Sequence, residues 1–407
     1  MVLGIIAEYN PFHNGHLYHL LKSKEITKDD YCIAIIGGNF TQRGEASLID
    51  KWTKAEMALS NGVDLVIELP TLYATSSAEN FAEGAIKILS SLKLVDNLAF
   101  GAETDNINKL NILANTLYKE PKAYKLLLTE ELEKGISFPK ARESALVKYL
   151  NDKSYSVILN EPNNILAIEY LKALKKYKVD INPILIPRKK SGHLNNDYTG
   201  QISSASAIRN MIKTNRTKNL KNTLTPSSYT ILVDEINKGH FVPDFSLFEK
   251  TIIYKLRSMN IEEIKKISYV SEGLENTIKK AAMSCNNLED FINIASSKRY
   301  TKTRLQRILL HSLLDITKRD IMLSKKTVPY ARILGFNDKG KKLLSNISKK
   351  NPNLEIVTSV KKFIDSNKNK SLQTLIEKDI YATNIYTLGF IHDSWANLDY
   401  TKKIVIK

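Results

Sequence analysis

Five short apolar runs constrain this chain more than any other feature: VLGIIAEY (2–9), YCIAIIGG (31–38), VDLVIELP (63–70), NLAFGAE (97–103) and VDINPILIPR (179–188). None shows the polar–apolar alternation of a half-exposed strand, so each reads as a strand covered on both faces. Helical patterns near 15–27, 50–61 and 77–92 separate the first four runs, the second framed by Asp50 as N-cap and Asn61-Gly62 as C-cap. Strands and helices in this order predict an α/β fold around a doubly wound parallel sheet. Ligands of such sheets sit beyond the carboxyl ends of the strands, so functional residues belong in the loops that follow the runs.

A chain of 407 residues is long enough for two or three cores. Between about 105 and 178 the pattern is helical, as in NKLNILANTLYKE and NNILAIEYLKALKKY, before the fifth run rejoins the sheet; this reads as a helical insertion. Residues 215–230, NRTKNLKNTLTPSSYT, read as a linker. Lys-rich helical patterns follow at 244–258, 272–284, 287–295, 301–316 and 338–348, with a β-like IYTLGF near the end. The expected division is an α/β domain over 1–215 and a mainly α-helical, basic domain over 216–407. Charge follows it: the first 120 residues carry a net −5 and the remainder +22, for +17 in all. Clustered Lys and Arg suit a polyanionic partner because they displace counterions from phosphates. A well-solvated lysine-rich surface accounts for the charge equally well.

No run approaches the roughly 18 apolar residues of a membrane span, and MVLGIIAEYNPF lacks the basic leader and cleavage site of a secretory signal. No membrane association and a cytoplasmic location are expected. Cys32 and Cys285 lie far apart without CxxC or Cys/His spacing, so reduced thiols are expected, with no disulfide and no protein-held metal.

Three of the seven histidines, His13, His16 and His19, fall in NPFHNGHLYHL around an Asn-Gly turn directly after the first run. Such a turn lets backbone approach closely, and the helix start beyond it offers free amides to an anion. His13 and His16 can face one phosphate, while His19 reaches the same side or packs. That arrangement suits nucleotidyl transfer, in which charge builds on the α-phosphate and pyrophosphate. For so short a motif, histidines that merely cap a helix are an equally open reading. A second junction, GQISSASAIRNMI (200–212), sets Ser203, Ser204 and Ser206 at a helix start with Arg209 one turn in, able to fork onto β and γ phosphates. Taken alone, that is a common Ser-rich cap.

Together, HNGH after the first strand and SSASAIR after the last resemble the paired signatures of the HxGH nucleotidyltransferase superfamily, with Ser206 where Thr is usual. The resemblance implies a Rossmann-like sheet and attack on the α-phosphate of a nucleoside triphosphate, with His13, His16 and Arg209 as catalytic residues. The intervening stretches GIIAEYNPFHNGHLYHL, GGNFTQRGEASLIDKWTKAEMAL, NGVDLVIELP, FGAE and PNNILAIEYLKAL are similar to the tRNA(Met) cytidine acetate ligases. That likeness continues through SEGLENTIKKAA, SKRYTKTRLQRILLH and VPYARILGFNDKGKKLL, and so covers most of the chain. It implies activation of acetate by ATP as acetyladenylate and transfer of acetyl to N4 of the wobble cytidine of elongator tRNA(Met).

On this resemblance ATP is held by the loop of Ile6, Ala7, Glu8, Tyr9, Asn10, Pro11, Phe12, His13, Asn14, Gly15, His16, Leu17, Tyr18 and His19. Gly101, Asn163, Asn164, Arg188, Ser204, Ser206 and Arg209 complete its site, with Lys189 or Lys190 as alternatives to Arg188. Mg²⁺ is expected on the β and γ phosphates. Asn39, Gln42 and Arg43 either line the acyl or cytidine pocket or close the fold. Trp52, between Lys51 and Lys54, either stacks on a base or belongs to the core.

The basic C-terminal region is expected to bind the tRNA. Arg304, Arg307 and His311 fall on one helical stripe, Lys298, Arg299 and Lys302 extend it, and Tyr300 is available to stack on an exposed base. Three alternatives are a small-molecule adenylyltransferase of the same superfamily, a relative of the class I aminoacyl-tRNA synthetases, and a nucleic-acid-binding module with a degenerate site. The first leaves the basic helices unused. The second has MLSKKT (322–327) as its only second signature, far from the sheet.

Overall fold

The structure, a computed structural model, describes residues 1–188, 200, 202–271 and 273–407. Its strands are β1 (Val2–Ala7), β2 (Tyr31–Gly37), β3 (Leu65–Leu69), β4 (Asn97–Ala102), β5 (Asn182–Pro187), β6 (Ala331–Phe336), β7 (Ile356–Val357) and β8 (Val405–Ile406). They form one sheet in the order β5-β4-β1-β2-β3-β6-β7, with β8 also on β6. The first five strands are mutually parallel, as expected. Alternate residues feed two cores: Ile33 and Ile35 of β2 pack on one face, Cys32, Ala34 and Ile36 on the other. Burial on both faces explains why the runs carry no alternation.

The chain passes from β1 outward to β2 and β3, then crosses to β4 and β5 on the other side of β1. Strand order therefore reverses between β1 and β4, and a crevice opens at their carboxyl ends. Five helices, Ile107–Lys119, Lys122–Glu133, Phe138–Leu150, Ser154–Leu159 and Pro162–Lys176, fill the insertion between β4 and β5.

The C-terminal part differs from the sequence expectation in three places. It adds strands to the sheet: β6 pairs antiparallel with β3, setting Arg332 opposite Glu68. The run that becomes β6 was hidden by that arginine, which reads as a surface residue. IYTLGF is not a strand; it closes the helix Lys370–Tyr386 and the turn Thr387–Gly389, where the Tyr386 hydroxyl donates to the Ser47 carbonyl at 2.9 Å. Residues 215–230 hold short helical turns and the start of helix Pro226–Lys238, and Leu220, Thr223, Leu224 and Ser228 are buried.

Beneath β3 and β6 four charges share one buried cluster. Lys51 Nζ lies 2.9 Å from Glu68 and 2.7 Å from Asp399, and Arg332 lies 3.2 Å and 2.5 Å from the same carboxylates. Burial raises the Asp399 pKa, but Arg332 and Lys51 outweigh it and hold the value near 2. Trp52 is buried beside this cluster, with Lys51 Nζ 4.9 Å from its ring, so it is a core residue and no base platform. Cys32 and Cys285 are free and buried. No helix among the described residues is long and apolar enough to cross a membrane.

Candidate active site

A cavity of about 500 Å³ opens where the topology places the crevice. Its walls come from the end of β1 and the turn after it, the Thr41–Glu45 loop beyond β2, the ends of β4 and β5, and the start of helix Ala205–Lys213.

The histidine turn is built by the histidines themselves. His13 is the N-cap of helix Asn14–Thr27, and its Nδ1 accepts from the Gly15 amide at 3.0 Å. In return His16 Nδ1 accepts from the His13 amide at 3.3 Å, so two imidazoles form the reciprocal cap usually made by Ser or Thr with Glu. The rings stack, with centroids 3.8 Å apart. A Cβ at Gly15 would sit 2.8 Å from His13 Cε1, so only glycine lets the ring fold back over the turn. Because each Nδ1 accepts an amide hydrogen, the hydrogen-bond pattern assigns the proton of each neutral ring to Nε2. Burial, then the charges of Arg188 and Arg209, hold the His13 pKa down to about 3. Burial and the neighbouring His13 push His16 well down, and burial with Arg188 brings His19 to about 4. All three are neutral at pH 7, and His13 and His16 present N–H donors.

The second junction faces the first. Ser204 caps helix Ala205–Lys213 by accepting from the Ala207 amide at 3.1 Å. Arg209 spans the gap: one guanidinium nitrogen donates to the Asn10 carbonyl at 3.1 Å, the other lies 3.4 Å from Ser206 Oγ and from Glu45. Arg188 lies at the mouth of the same cavity, beside Gly101. Lys189 and Lys190 lie outside the described residues.

Most of the loop expected to hold nucleotide lines the cavity: Ile6, Ala7, Glu8, Tyr9, Asn10, His13, Gly15, His16, Tyr18 and His19, joined by Gly101, Asn163, Arg188, Ser204, Ser206 and Arg209. Pro11, Phe12, Asn14, Leu17 and Asn164 stand behind that wall. Asn14 donates to the Asn222 carbonyl at 2.9 Å. Asn164 accepts from the amides of Glu103 and Thr104 at 2.9 and 3.1 Å, and Glu103 accepts from the Asn164 amide at 2.9 Å, tying the end of β4 to helix Pro162–Lys176. Asn39 is consumed in the fold, bonded to the Lys51 amide and Thr383, whereas Gln42 and Arg43 line the cavity. An apolar wall of Phe81, Phe100, Ile165, Leu166 and Tyr170 was missed. Phe81, Ile165, Leu166 and Tyr170 sit on core helices distant in sequence, where nothing distinguishes them from ordinary packing.

The basic stripe divides. Lys298, Arg299 and Lys302 are exposed. Arg304 donates to the Tyr269 carbonyl at 2.8 Å and to Ser271 at 2.6 Å, and stacks over Tyr300 at 5.1 Å. Arg307 and Thr303 line the cavity, the two described lining residues that come from beyond helix Ala205–Lys213. His311 is not on the ridge: it is fully buried and bonded to Ser268 and Thr75. MLSKKT lies on helix Lys318–Lys326 and its following turn, where the Ser324, Lys325 and Thr327 carbonyls receive Lys87.

The HIGH Nucleotidyl Transferase family matches residues 1–398. A tRNA(Met) cytidine acetate ligase from Thermoanaerobacter sp. (strain X514) is 46% identical over 404 residues, 99% of each chain. The chain belongs to the tRNA(Met) cytidine acetate ligase family. Another member, from Acetivibrio thermocellus, is 44% identical and covers 100% of this chain and 99% of its own. The fold agrees: crystal structures of Thermotoga maritima TmcAL match it at 36% identity over 100% of this chain and 99% of theirs, with a TM-score of 0.96 for the apo form and 0.93 for a form bound with alpha-thio ATP.

Proposed function

We propose that the chain activates acetate with ATP, forming acetyladenylate and pyrophosphate, and passes the acetyl group to N4 of the wobble cytidine of elongator tRNA(Met). The observation that carries this reading is the reciprocal imidazole cap, which fixes two neutral Nε2–H donors opposite Arg209 in a crevice large enough for a nucleotide. Acetate is a weak nucleophile and repels the triphosphate, so the protein's task is to gather both anions and stabilise charge on the departing pyrophosphate. His13 and His16 donate to the triphosphate near the reacting α-phosphorus. Arg209 exchanges its resting partner Glu45 for β and γ oxygens, and the amides at the start of helix Ala205–Lys213 add to them. Neutral imidazoles are an advantage here, because protonating either Nδ1 would break the cap that positions the ring.

Among the described residues no group of three or more His, Cys, Asp or Glu forms a metal cage. A magnesium ion brought in by the nucleotide would be held on the protein side by Glu45 and would keep most of its water. Bound there, it would neutralise charge on pyrophosphate. The tRNA reaches the cavity along Lys298, Arg299 and Lys302, and Arg307 stands where that path enters.

The relatives' names and the ATP analogue in the T. maritima structure support the same reading. ATP–pyrophosphate exchange tests it: exchange that requires acetate, followed by N4-acetylcytidine in tRNA(Met), is the expected result. No exchange with any short acid, with or without tRNA, would sink it and favour a phosphate-ester adenylyltransferase.

A further inference from the structure

Two carboxylates line the cavity, and they are used differently. Glu45 pairs with Arg209 at 3.4 Å. Glu8, directly after β1, accepts one hydrogen bond through Oε1, from the Gln42 amide at 2.7 Å, and makes no ion pair among the described residues. Glu8 feels the charge of buried Lys54, whose ammonium is committed to the Gly37 and Gly38 carbonyls, and a carboxylate without a close ion pair is costly in a site that must gather a triphosphate and a second carboxylate, since it repels both. The adenylation step proposed above gives the Glu8 carboxylate no chemical role, although the Glu8 backbone belongs to the loop that faces the nucleotide. The second half of the reaction does need a base. The N4 amine of cytosine is conjugated with its ring and attacks only weakly; the adduct carries an N–H proton that must leave before AMP does, or it collapses back.

Other groups at the site are poorly placed to take that proton. His13 and His16 have committed Nδ1 to backbone amides and carry their proton on Nε2. His19 packs against the end of β4, where a Cβ on Gly101 would be 3.8 Å from its ring, and its Nε2 is buried away from solvent. Glu8 is tied to the Thr41–Glu45 loop, and that loop is also where the C-terminal region touches the site: Gly44, at φ +86°, leaves no room for a Cβ, which would lie 2.8 Å from the Arg307 amide nitrogen. Glu8 thus stands between the adenylate donors and the helix that brings Arg307 and Thr303 to the cavity.

We propose that Glu8 is the general base of acetyl transfer, receiving a proton from the cytidine N4 amine. In this step N4 bonds to the acetyl carbon, the bond from that carbon to the phosphate oxygen breaks, AMP leaves with the electron pair, and one N4 proton passes to Glu8 and then to water. The other proton remains on the product amide. The inference rests on the acetyladenylate reading above, and the two are separable by experiment.

The test compares acetate-dependent ATP–pyrophosphate exchange with single-turnover acetyl transfer to unmodified tRNA(Met), in the parent protein and in Glu8→Gln, which keeps an acceptor for the Gln42 amide. Transfer in the variant should fall at least about 100-fold more than exchange. The thermal midpoint of the variant should be preserved. Glu8→Asp, which keeps a carboxylate, should recover part of the transfer. Transfer at the parent's rate in Glu8→Gln, or transfer and exchange falling together, would overturn the proposal. Absence of exchange in the parent would instead remove the acetyladenylate reading, and this inference with it.

Discussion

The molecule gathers charge in two places, and their difference separates architecture from chemistry. Under β3 and β6, Lys51 and Arg332 form ion pairs with Glu68 and Asp399, and beside them the Asp379 carboxyl is pushed up to about 7 by burial and by Glu68. Among the described residues lining the crevice, the four cations Arg43, Arg188, Arg209 and Arg307 outnumber the two carboxylates Glu8 and Glu45, with Glu103 acting on Arg188 from behind the wall. A balanced buried cluster is complete in itself, whereas an excess of cations in a cavity is incomplete until anions arrive. The comparison extends to histidine. His13 and His311 are both held near pKa 3, chiefly by burial. Yet His311 is spent on Ser268 and Thr75, while among the described residues His13 makes its hydrogen bond through Nδ1 and has no protein partner at Nε2. A shifted pKa marks burial; an unspent hydrogen-bonding atom beside a cavity marks function.

The largest effect should come from unbalancing the complete cluster. Arg332→Ala leaves two buried carboxylates facing Lys51 alone and should cost about 3–5 kcal/mol of stability, read as a lowered denaturant midpoint. A loss below about 1 kcal/mol would show that the cluster does not hold β6 to β3. At the crevice the same kind of deletion should cost less stability, about 1 kcal/mol for a lost cap, and mainly remove chemistry. His16→Ala is expected to lower acetate-dependent pyrophosphate exchange by about 100- to 1,000-fold, the usual cost of one preorganised donor, with tRNA affinity maintained. Equal loss of both would contradict the separation of the two regions.

These two regions were unequally legible in the sequence. The crevice was readable because parallel strands buried on both faces give continuous apolar runs, and because chemistry at a switch point falls in the loops directly after them, where HNGH and SSASAIR lie. The charge cluster was not, because its members stand at 51, 68, 332 and 399 and meet only once β6 enters the sheet antiparallel to β3. Helical spacing misassigned His311 for a related reason. Spacing of i, i+3 and i+7 fixes a stripe on a helix but not which partner covers each turn, and the turn at His311 is covered by the segments holding Thr75 and Ser268. Arg307, one turn earlier, opens onto the cavity.

Acid should act on both regions, and ATP should tell them apart. An unfolded histidine takes up a proton near pH 6.5, while His13 and His311 in the fold do so only near 3. Between those values the unfolded chain binds more protons, so the stability present above pH 6.5 declines as pH falls, by about 2 kcal/mol at pH 5 for each fully buried ring. His16 and His19 shift in the same direction. Asp379, pushed up to about 7 by burial and by Glu68, works oppositely, since acid relieves it; one carboxyl does not offset four imidazoles. The thermal midpoint should therefore drop between pH 7 and pH 5. ATP should shrink the share due to His13 and His16, whose surroundings gain negative charge, and leave that of His311. A midpoint that is unchanged or higher at pH 5 would refute the account.

The smallest effects belong to the rim, where single cations are solvated. Lys298→Ala, Arg299→Ala and Lys302→Ala should each weaken tRNA binding by about 1 kcal/mol or less and flatten the dependence of log affinity on log salt by about one for each phosphate no longer neutralised. None should alter exchange without tRNA. Arg307 stands apart, because among the described residues its Nε is buried without a hydrogen-bond partner and its guanidinium packs 5.3 Å from the Tyr269 ring at the cavity wall. A cation held in that way acts at one point and is less screened than an exposed one. Arg307→Ala should therefore slow acetyl transfer by about tenfold or more, about 1.4 kcal/mol, while changing the salt slope no more than Lys302→Ala does. If the two variants behave alike in transfer and in salt dependence, Arg307 belongs to the rim, and the contrast between an incomplete cavity and a merely basic surface ends at the cavity mouth.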